Sequence, residues 1–218
     1  MSTTTQATTS AKFITLEGSE GVGKTTNLAV LQECLERDGH KVLVTREPGG
    51  TPLGEQVRDL LLQLREDPMV PMAELLLVFA ARAQHIETVI KPALARGDWV
   101  LSDRFTDASF AYQGGGRGLA RETIEHLQDM VQATLRPDLT FYLDVAPDKG
   151  FARIGDRELD RFEREQLDFY ERVRATYLGL ASAEPNRFVV VDAGASIEAV
   201  GESLTAQLVH AMSRWRDG

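Results

Sequence analysis

Short apolar runs alternate along the chain with longer segments in which apolar residues recur every three or four positions. Phe13 to Glu17 is β-rich and runs directly into glycines, which predicts a strand. Lys24 to Arg37 carries Leu28, Leu31 and Leu35 at helical spacing, and Gly39 closes that helix. Lys41 to Thr45 reads as a second strand. Thr51 to Arg65 and Pro71 to Arg96 read as helices, the second with Leu75, Phe79, Arg82, Ile86 and Ile90 near one face. Pro92 should kink its last turn. Trp99 to Asp103 is an apolar strand ending in a carboxylate. Ala120 to Leu135 reads as a helix with Ile124, Leu127, Val131 and Leu135 inward, and Leu139 to Leu143 and Phe188 to Val191 as strands. Ser196 is placed to cap a final helix carrying Ile197, Val200, Leu204, Leu208 and Trp215. Strands alternating with helices five times specify an α/β layer fold, a five-stranded, mostly parallel sheet with helices on both faces. Ligands of such folds bind beyond the carboxyl ends of the strands.

Composition changes this picture in two places. With 218 residues and 43% apolar content the chain has enough core for one domain, expected over residues 12–218. Residues 1–11 are polar and Thr-rich without an apolar run, so a disordered tail is expected there rather than a signal peptide. No apolar run approaches about 18 residues, so no membrane span is expected. The net charge of −9 argues against nucleic acid or anionic membrane as a general partner. Beneath that balance the 24 basic residues are 19 Arg and 5 Lys. Arginine presents a planar fork of donors matched to phosphate, so an acidic chain with this bias can carry a concentrated anion site. Cys34 is the only cysteine, which forbids an intrachain disulfide and suits a reducing, cytoplasmic setting. The charged stretch from Arg153 to Arg164 lacks a core pattern at its start and reads as an exposed excursion.

The chemistry concentrates after the first strand. Gly18-Ser19-Glu20-Gly21-Val22-Gly23-Lys24-Thr25 satisfies G-x-x-x-x-G-K-[ST] between a strand and a helix, the context that motif requires. Glycines let successive backbone N–H groups face one concavity, and the helix N-terminus adds its positive end. Lys24 would reach the outer phosphates of a nucleoside triphosphate and the Thr25 hydroxyl would ligate Mg²⁺; Thr26 follows it in the loop. No N-K-x-D segment for guanine is present. Arg46-Glu47-Pro48-Gly49-Gly50-Thr51 follows the second strand and Asp103-Arg104-Phe105 ends the third, so Arg46 and Arg104 stand where a second phosphate could be clamped. Two facing phosphate sites describe a kinase acting on another small phosphate. A P-loop switch that binds ATP and signals to a partner is the alternative of a different class, and another nucleoside monophosphate kinase is the nearer one.

These segments, with Glu17 ahead of the loop and Tyr112-Gln113-Gly114-Gly115-Gly116-Arg117-Gly118, together resemble thymidylate kinases of the bacterial type, in the family's order from about Lys12 onward. The resemblance implies a three-layer P-loop NTPase fold with an Arg-rich lid at about residues 150–164. It implies transfer of the γ-phosphoryl group of ATP to dTMP, giving ADP and dTDP for dTTP biosynthesis, with Mg²⁺, by a homodimer. It also implies residue roles. Phe79 would lie against thymine and Arg82 would donate to a thymine carbonyl, while Ser109 would bond the base edge. Tyr112 would crowd a ribose 2′-hydroxyl, and Gln113 and Pro48 would complete the pocket. Glu20 would face the acceptor sugar and the metal shell, Arg46 and Arg104 would grip the acceptor phosphate, and Asp103 would hold Mg²⁺ through water. With Val22 supplying no charge from the loop, the resemblance assigns the transition-state charge to Arg153 and Arg157, and leaves Arg161 structural. A phosphate monoester is already largely ionised near neutral pH, so no general base is expected. The scattered His40, His85, His126 and His210, and Cys34, receive no chemical role.

Overall fold

The computed structural model describes residues 10–153 and 160–217. Five strands, β1 (Phe13–Gly18), β2 (Val42–Arg46), β3 (Trp99–Asp103), β4 (Leu139–Asp144) and β5 (Phe188–Asp192), form one parallel sheet in the order β2-β3-β1-β4-β5. β1 is central and buried along its whole length. Helix α1 (Lys24–Arg37) and the C-terminal helix α9 (Ile197–Asp217) cover one face. There Leu28, Leu31 and Leu35 meet Val200, Leu204 and Leu208 over Ile14, Leu16 and Phe141, and Ala11 packs against the same cluster. Truncating a side chain as enclosed as Leu31 or Leu204 to Ala costs about 3 kcal/mol. The expected sheet and both helix layers are therefore present.

The opposite layer holds α3 (Pro71–His85), which continues through a π-helical turn (Ile86–Ile90) into α4 (Lys91–Ala95). That turn is the form the expected distortion takes. The ring of Pro92 crowds the carbonyl four residues back, at Thr88, and the widened turn accommodates it. Helix α2 (Pro52–Leu62) precedes it, with the Thr51 hydroxyl accepting from Gly54 N at 2.9 Å as an N-cap. α6 (Arg121–Gln132) lies on the same side, and Ser196 caps α9 through Ala199 N at 3.3 Å.

Three helical stretches go beyond the sequence reading. α5 (Thr106–Ser109) runs into a second π-helical turn (Phe110–Gly116), α7 (Pro147–Ala152) follows β4, and α8 (Leu167–Ala183) fills the stretch before β5. α8 buries Phe169, Tyr170, Val173, Tyr177, Leu180 and Ala181, helical spacing carried half by aromatic residues. One expected core residue is corrected. Ile197 is half exposed because it stands at the first turn of α9, beyond the sheet edge, where it lines a cavity with Gly21 and Gly23.

Candidate active site

The register of the sheet sets the spacing of the site. Leu16 of β1 lies beside Asp103 of β3, and Asp103 beside Arg46 of β2, so three adjacent strands end side by side. The phosphate loop leaves β1 at this edge. Gly21 has φ +73°, and a Cβ there would stand 2.0 Å from the Gly150 carbonyl oxygen, so α7 seats directly on the loop only because residue 21 has no side chain. Gly23, also left-handed, opens α1, and Ser19 and Val22 are buried beneath the loop while Thr25 and Thr26 are exposed at its rim. Lys24 Nζ donates to the carbonyls of Gly18 and Ser19, both at 3.2 Å. Burial pushes the Lys24 ammonium below its ordinary pKa, and the nearby Arg104 charge adds to that. The negative charge of an arriving phosphate would oppose both effects.

Arg104 is the hinge between this loop and a second cavity. Its φ of +66° is left-handed, uncommon for a side chain of its size. Three hydrogen bonds hold that turn: Arg104 N to Leu16 O at 3.0 Å, Ser102 Oγ to Arg104 O at 2.8 Å, and Phe105 N to Glu17 Oε1 at 2.7 Å. The turned guanidinium donates to Glu20 Oε1 at 2.5 Å, to Gly18 O at 3.2 Å and to the Tyr112 hydroxyl at 3.0 Å, while its Nε is buried without a partner. Glu17, fully buried, also accepts from the Tyr177 hydroxyl at 2.7 Å. Burial pushes the Glu17 carboxyl up to about 8, and the Asp107 charge pushes the same way.

The second cavity is lined by Glu20, Pro48, Arg82, Arg104, Ser109, Tyr112 and Gln113, all expected, together with Glu47, Arg58, Phe105 and Phe162. Arg82 is 1% exposed. Its Nε donates to Glu47 Oε2 at 2.7 Å, and its NH2 to Ser109 Oγ at 3.0 Å and Phe105 O at 3.2 Å. Its NH1 is buried with no partner, a donor left for a ligand carbonyl. Phe79, only 2% exposed, lies 4.5 Å beneath the Arg82 guanidinium and is not among the lining residues; Val78 is.

Two residues of this site escaped the sequence reading. His85 Nδ1 lies 2.9 Å from Glu47 Oε1 and its Nε2 lies 2.7 Å from the Thr45 hydroxyl, so it fixes the carboxylate that fixes Arg82. Arg58, on α2, reaches the cavity and donates to Pro48 O at 3.1 Å; burial and the charges of Arg46 and Arg104 lower its pKa. Its only sequence signal was the arginine bias itself. Arg46 stands differently: about half exposed, it forms a two-pronged pair with Glu55 at 2.7 and 3.3 Å and lines a neighbouring cavity with Thr25 and Asp103.

That neighbouring cavity brings together the two residues expected to hold a metal. Asp103 Oδ1 is buried with no hydrogen-bond partner, which suits a bound cation or its water shell. Among the described residues no cluster of three or more His, Cys, Asp or Glu could hold a metal. One carboxylate, one hydroxyl and substrate phosphates are the donor set that Mg²⁺ uses.

Arg153 lies on the other side of the loop. It donates to Ala193 O at 2.7 Å and lines a cavity of about 580 Å³ with Gly21, Val22, Gly23 and Asn27. Arg157 lies outside the described residues. Arg161 is tied inward, its Nε donating to Leu61 O at 2.7 Å and its guanidinium paired with the buried Glu74 at 2.7 Å.

Sequence and structure comparisons agree with this geometry. The family model described as thymidylate kinase matches residues 16–204. A thymidylate kinase from Alkalilimnicola ehrlichii is 53% identical over 212 residues, covering 96% of this chain and 98% of its own. One from Neisseria gonorrhoeae is 56% identical, covering 88% and 94%. The crystal structure of thymidylate kinase from Ehrlichia chaffeensis superposes with a TM-score of 0.74 at 36% identity, covering 91% of this chain and 98% of that one.

Proposed function

The chain belongs to the thymidylate kinase family, and from that premise we infer that it moves the γ-phosphoryl group of ATP onto dTMP, giving ADP and dTDP. The observation that carries this reading is Arg104, whose one guanidinium touches the phosphate loop at Gly18 and the acceptor cavity at Glu20 and Tyr112. A donor loop and an acceptor cavity joined by one cation put the two phosphates side by side, and positioning of that kind supplies much of the rate of a phosphoryl transfer.

ATP lies with its phosphates along Gly18 to Thr26, with Lys24 on the outer ones and its nucleoside on the Arg153 side, where Gly21, Val22 and Gly23 share a cavity. The dTMP base lies against Arg82 and Ser109, with the unpartnered Arg82 NH1 donating to a thymine carbonyl. Phe79 acts from beneath Arg82, and Gln113 and Pro48 close the pocket. Tyr112 and Glu20 stand beside the sugar. Arg104 and Arg58 take the dTMP phosphate from within the cavity, with Arg46 in the neighbouring cavity beside Thr25 and Asp103. Thr25 and Asp103 would hold Mg²⁺, which neutralises charge between the phosphates when bound. Arg153 and Arg157 supply further positive charge to the transferring group. A phosphate acceptor already ionised near neutral pH needs orientation and charge rather than proton abstraction, which is what the arginines and Lys24 are placed to give.

Residues 12–218 form the kinase unit, to which Ala11 adds a core contact; the rest of the expected tail falls mainly on residues 1–9, outside the described residues. Leu53, Leu60, Met72 and Leu76 on α2 and α3 are exposed and apolar, which supports self-association into a homodimer. No described helix is long and apolar enough to cross a membrane, and together with the lone cysteine this supports a cytoplasmic enzyme using small-molecule substrates. Incubation with ATP, Mg²⁺ and dTMP, UMP, CMP or GMP in turn tests the reading. Turnover of dTMP above the others is expected. Equal or faster turnover of a ribonucleotide would overturn the choice of acceptor, and no turnover at all would favour an ATP switch.

A further inference from the structure

Glu74 on α3 has no exposed surface and does not line any part of the acceptor cavity, yet three side chains from two separate segments converge on its carboxylate. Gln113 Nε2 donates to Oε1 at 2.8 Å from the second π-helical turn. Arg117 Nε donates to Oε2 at 3.2 Å and Arg161 stands 2.7 Å from the same oxygen. Arg117 also reaches Glu165 Oε1 at 2.5 Å, so two arginines and two carboxylates balance in a largely enclosed group.

The two arginines hold an aromatic ring between them. The Arg161 guanidinium lies 4.4 Å and that of Arg117 5.5 Å from the ring centre of Phe162, and the ring also meets Tyr112 edge-on at 5.9 Å. Cation–aromatic contacts of this kind are strengthened where water is excluded. Phe162 is a wall of the acceptor cavity, as are Asp160 beside it and Leu61 and Leu62, whose carbonyls receive Arg161 Nε and N. Asp160 Oδ1 accepts from Phe162 N at 2.8 Å and Glu163 N at 2.9 Å, closing a tight turn.

We propose that Glu74 is a positioning residue that holds Phe162 as a wall of the acceptor cavity, so that acceptor affinity depends on a carboxylate the acceptor never touches. The proposal deepens, and rests on, the reading of that cavity as the dTMP site. A neutral amide in place of Glu74 keeps one oxygen, either for Gln113 or for the two arginines, turns its N–H groups on the other side, and leaves two arginines with one fewer countercharge.

The test compares the parent with Glu74→Gln and with Arg161→Met, well below their unfolding temperatures. Two readouts are taken on each: steady-state constants for dTMP and ATP separately, and hydrogen exchange of the amides of Arg161, Phe162 and Glu163. In both variants the KM for dTMP is expected to rise about tenfold or more while that for ATP stays within about twofold. Exchange at the three amides is expected to quicken about tenfold, with β1 and β3 unchanged. Equal changes in both Michaelis constants, or unchanged exchange in the turn, would overturn the proposal. If Glu74→Gln does not fold, Arg161→Met carries both readouts alone. A parent that turns over nucleotides other than dTMP fails the reading of the substrate, and the exchange data still decide whether Glu74 fixes the turn.

Discussion

A buried acid beside the phosphate loop yields the sharpest quantitative expectation. Glu17 has an ordinary pKa of 4.5 and, buried near Asp107, titrates at about 8 in the folded chain. Between those values the folded protein keeps a proton that the unfolded chain has released. Stability therefore declines with rising pH, by about 1.4 kcal/mol per unit. The contribution is fully present below about pH 4.5 and is lost as the pH passes about 8. The perturbation is Glu17→Gln. The amide oxygen can still accept from Phe105 N, and the amide nitrogen can donate to the Tyr177 hydroxyl, so both 2.7 Å contacts survive while the titration disappears. From about pH 5.5 to about pH 7.5 the variant should gain about 3 kcal/mol on its parent. Urea unfolding of both proteins at the two pH values reads this directly. In melting temperature each kcal/mol is about 2–4 °C for a chain of this size. Parallel stability profiles would refute the reasoning, because they would mean that Glu17 is already ionised in the folded protein at neutral pH.

Lys24→Ala should lower kcat by about 10³ or more while leaving dTMP affinity nearly intact, read by single-turnover kinetics and calorimetry; a near-normal kcat would contradict the loop's role. Arg58→Ala should raise the KM for dTMP by about 10- to 100-fold, the worth of one charge-assisted contact, with a smaller effect on ATP. Tyr112→Ala should lower the preference for deoxyribose over ribose by about tenfold, measured as the ratio of kcat/KM for dTMP and its ribonucleotide counterpart. An unchanged ratio would show that the ring does not exclude the 2′-hydroxyl.

The sequence disclosed what is contiguous and missed what is recruited. The phosphate loop could be read because its glycines, Lys24 and Thr25 act within eight positions of one another, and backbone geometry alone gives them their purpose. The strands could be read because parallel strands buried on both faces are short apolar runs. Arg58, Glu74 and His85 could not be read, since periodicity marks a position as inward but not what it will meet there. His85 is inward by the same helical spacing as Phe79, and only the fold puts Glu47 and Thr45 on its two nitrogens. Arg46 and Arg104 looked alike as strand-terminal arginines. They diverge because Glu55, on the helix after Gly50, claims Arg46, whereas Arg104 turns left-handed into the cavity. α8 had a helical pattern throughout, but half of its inward residues are aromatic and it follows a charged stretch.

One oxygen deserves a last thought. The Gly18 carbonyl accepts from both Lys24 Nζ and Arg104 NH2, at 3.2 Å each. Two cations, proposed to serve different nucleotides, are thus tethered to the same backbone atom, which strand β1 holds at a fixed depth. For either phosphate, arrival is a trade of one oxygen for another rather than the stripping of water from a free cation, so little solvent has to be reorganised. The trade also runs on a shared ledger: when one cation leaves the carbonyl for its phosphate, the other gains that oxygen to itself. With both nucleotides bound as proposed, each would sense the other through a single peptide unit.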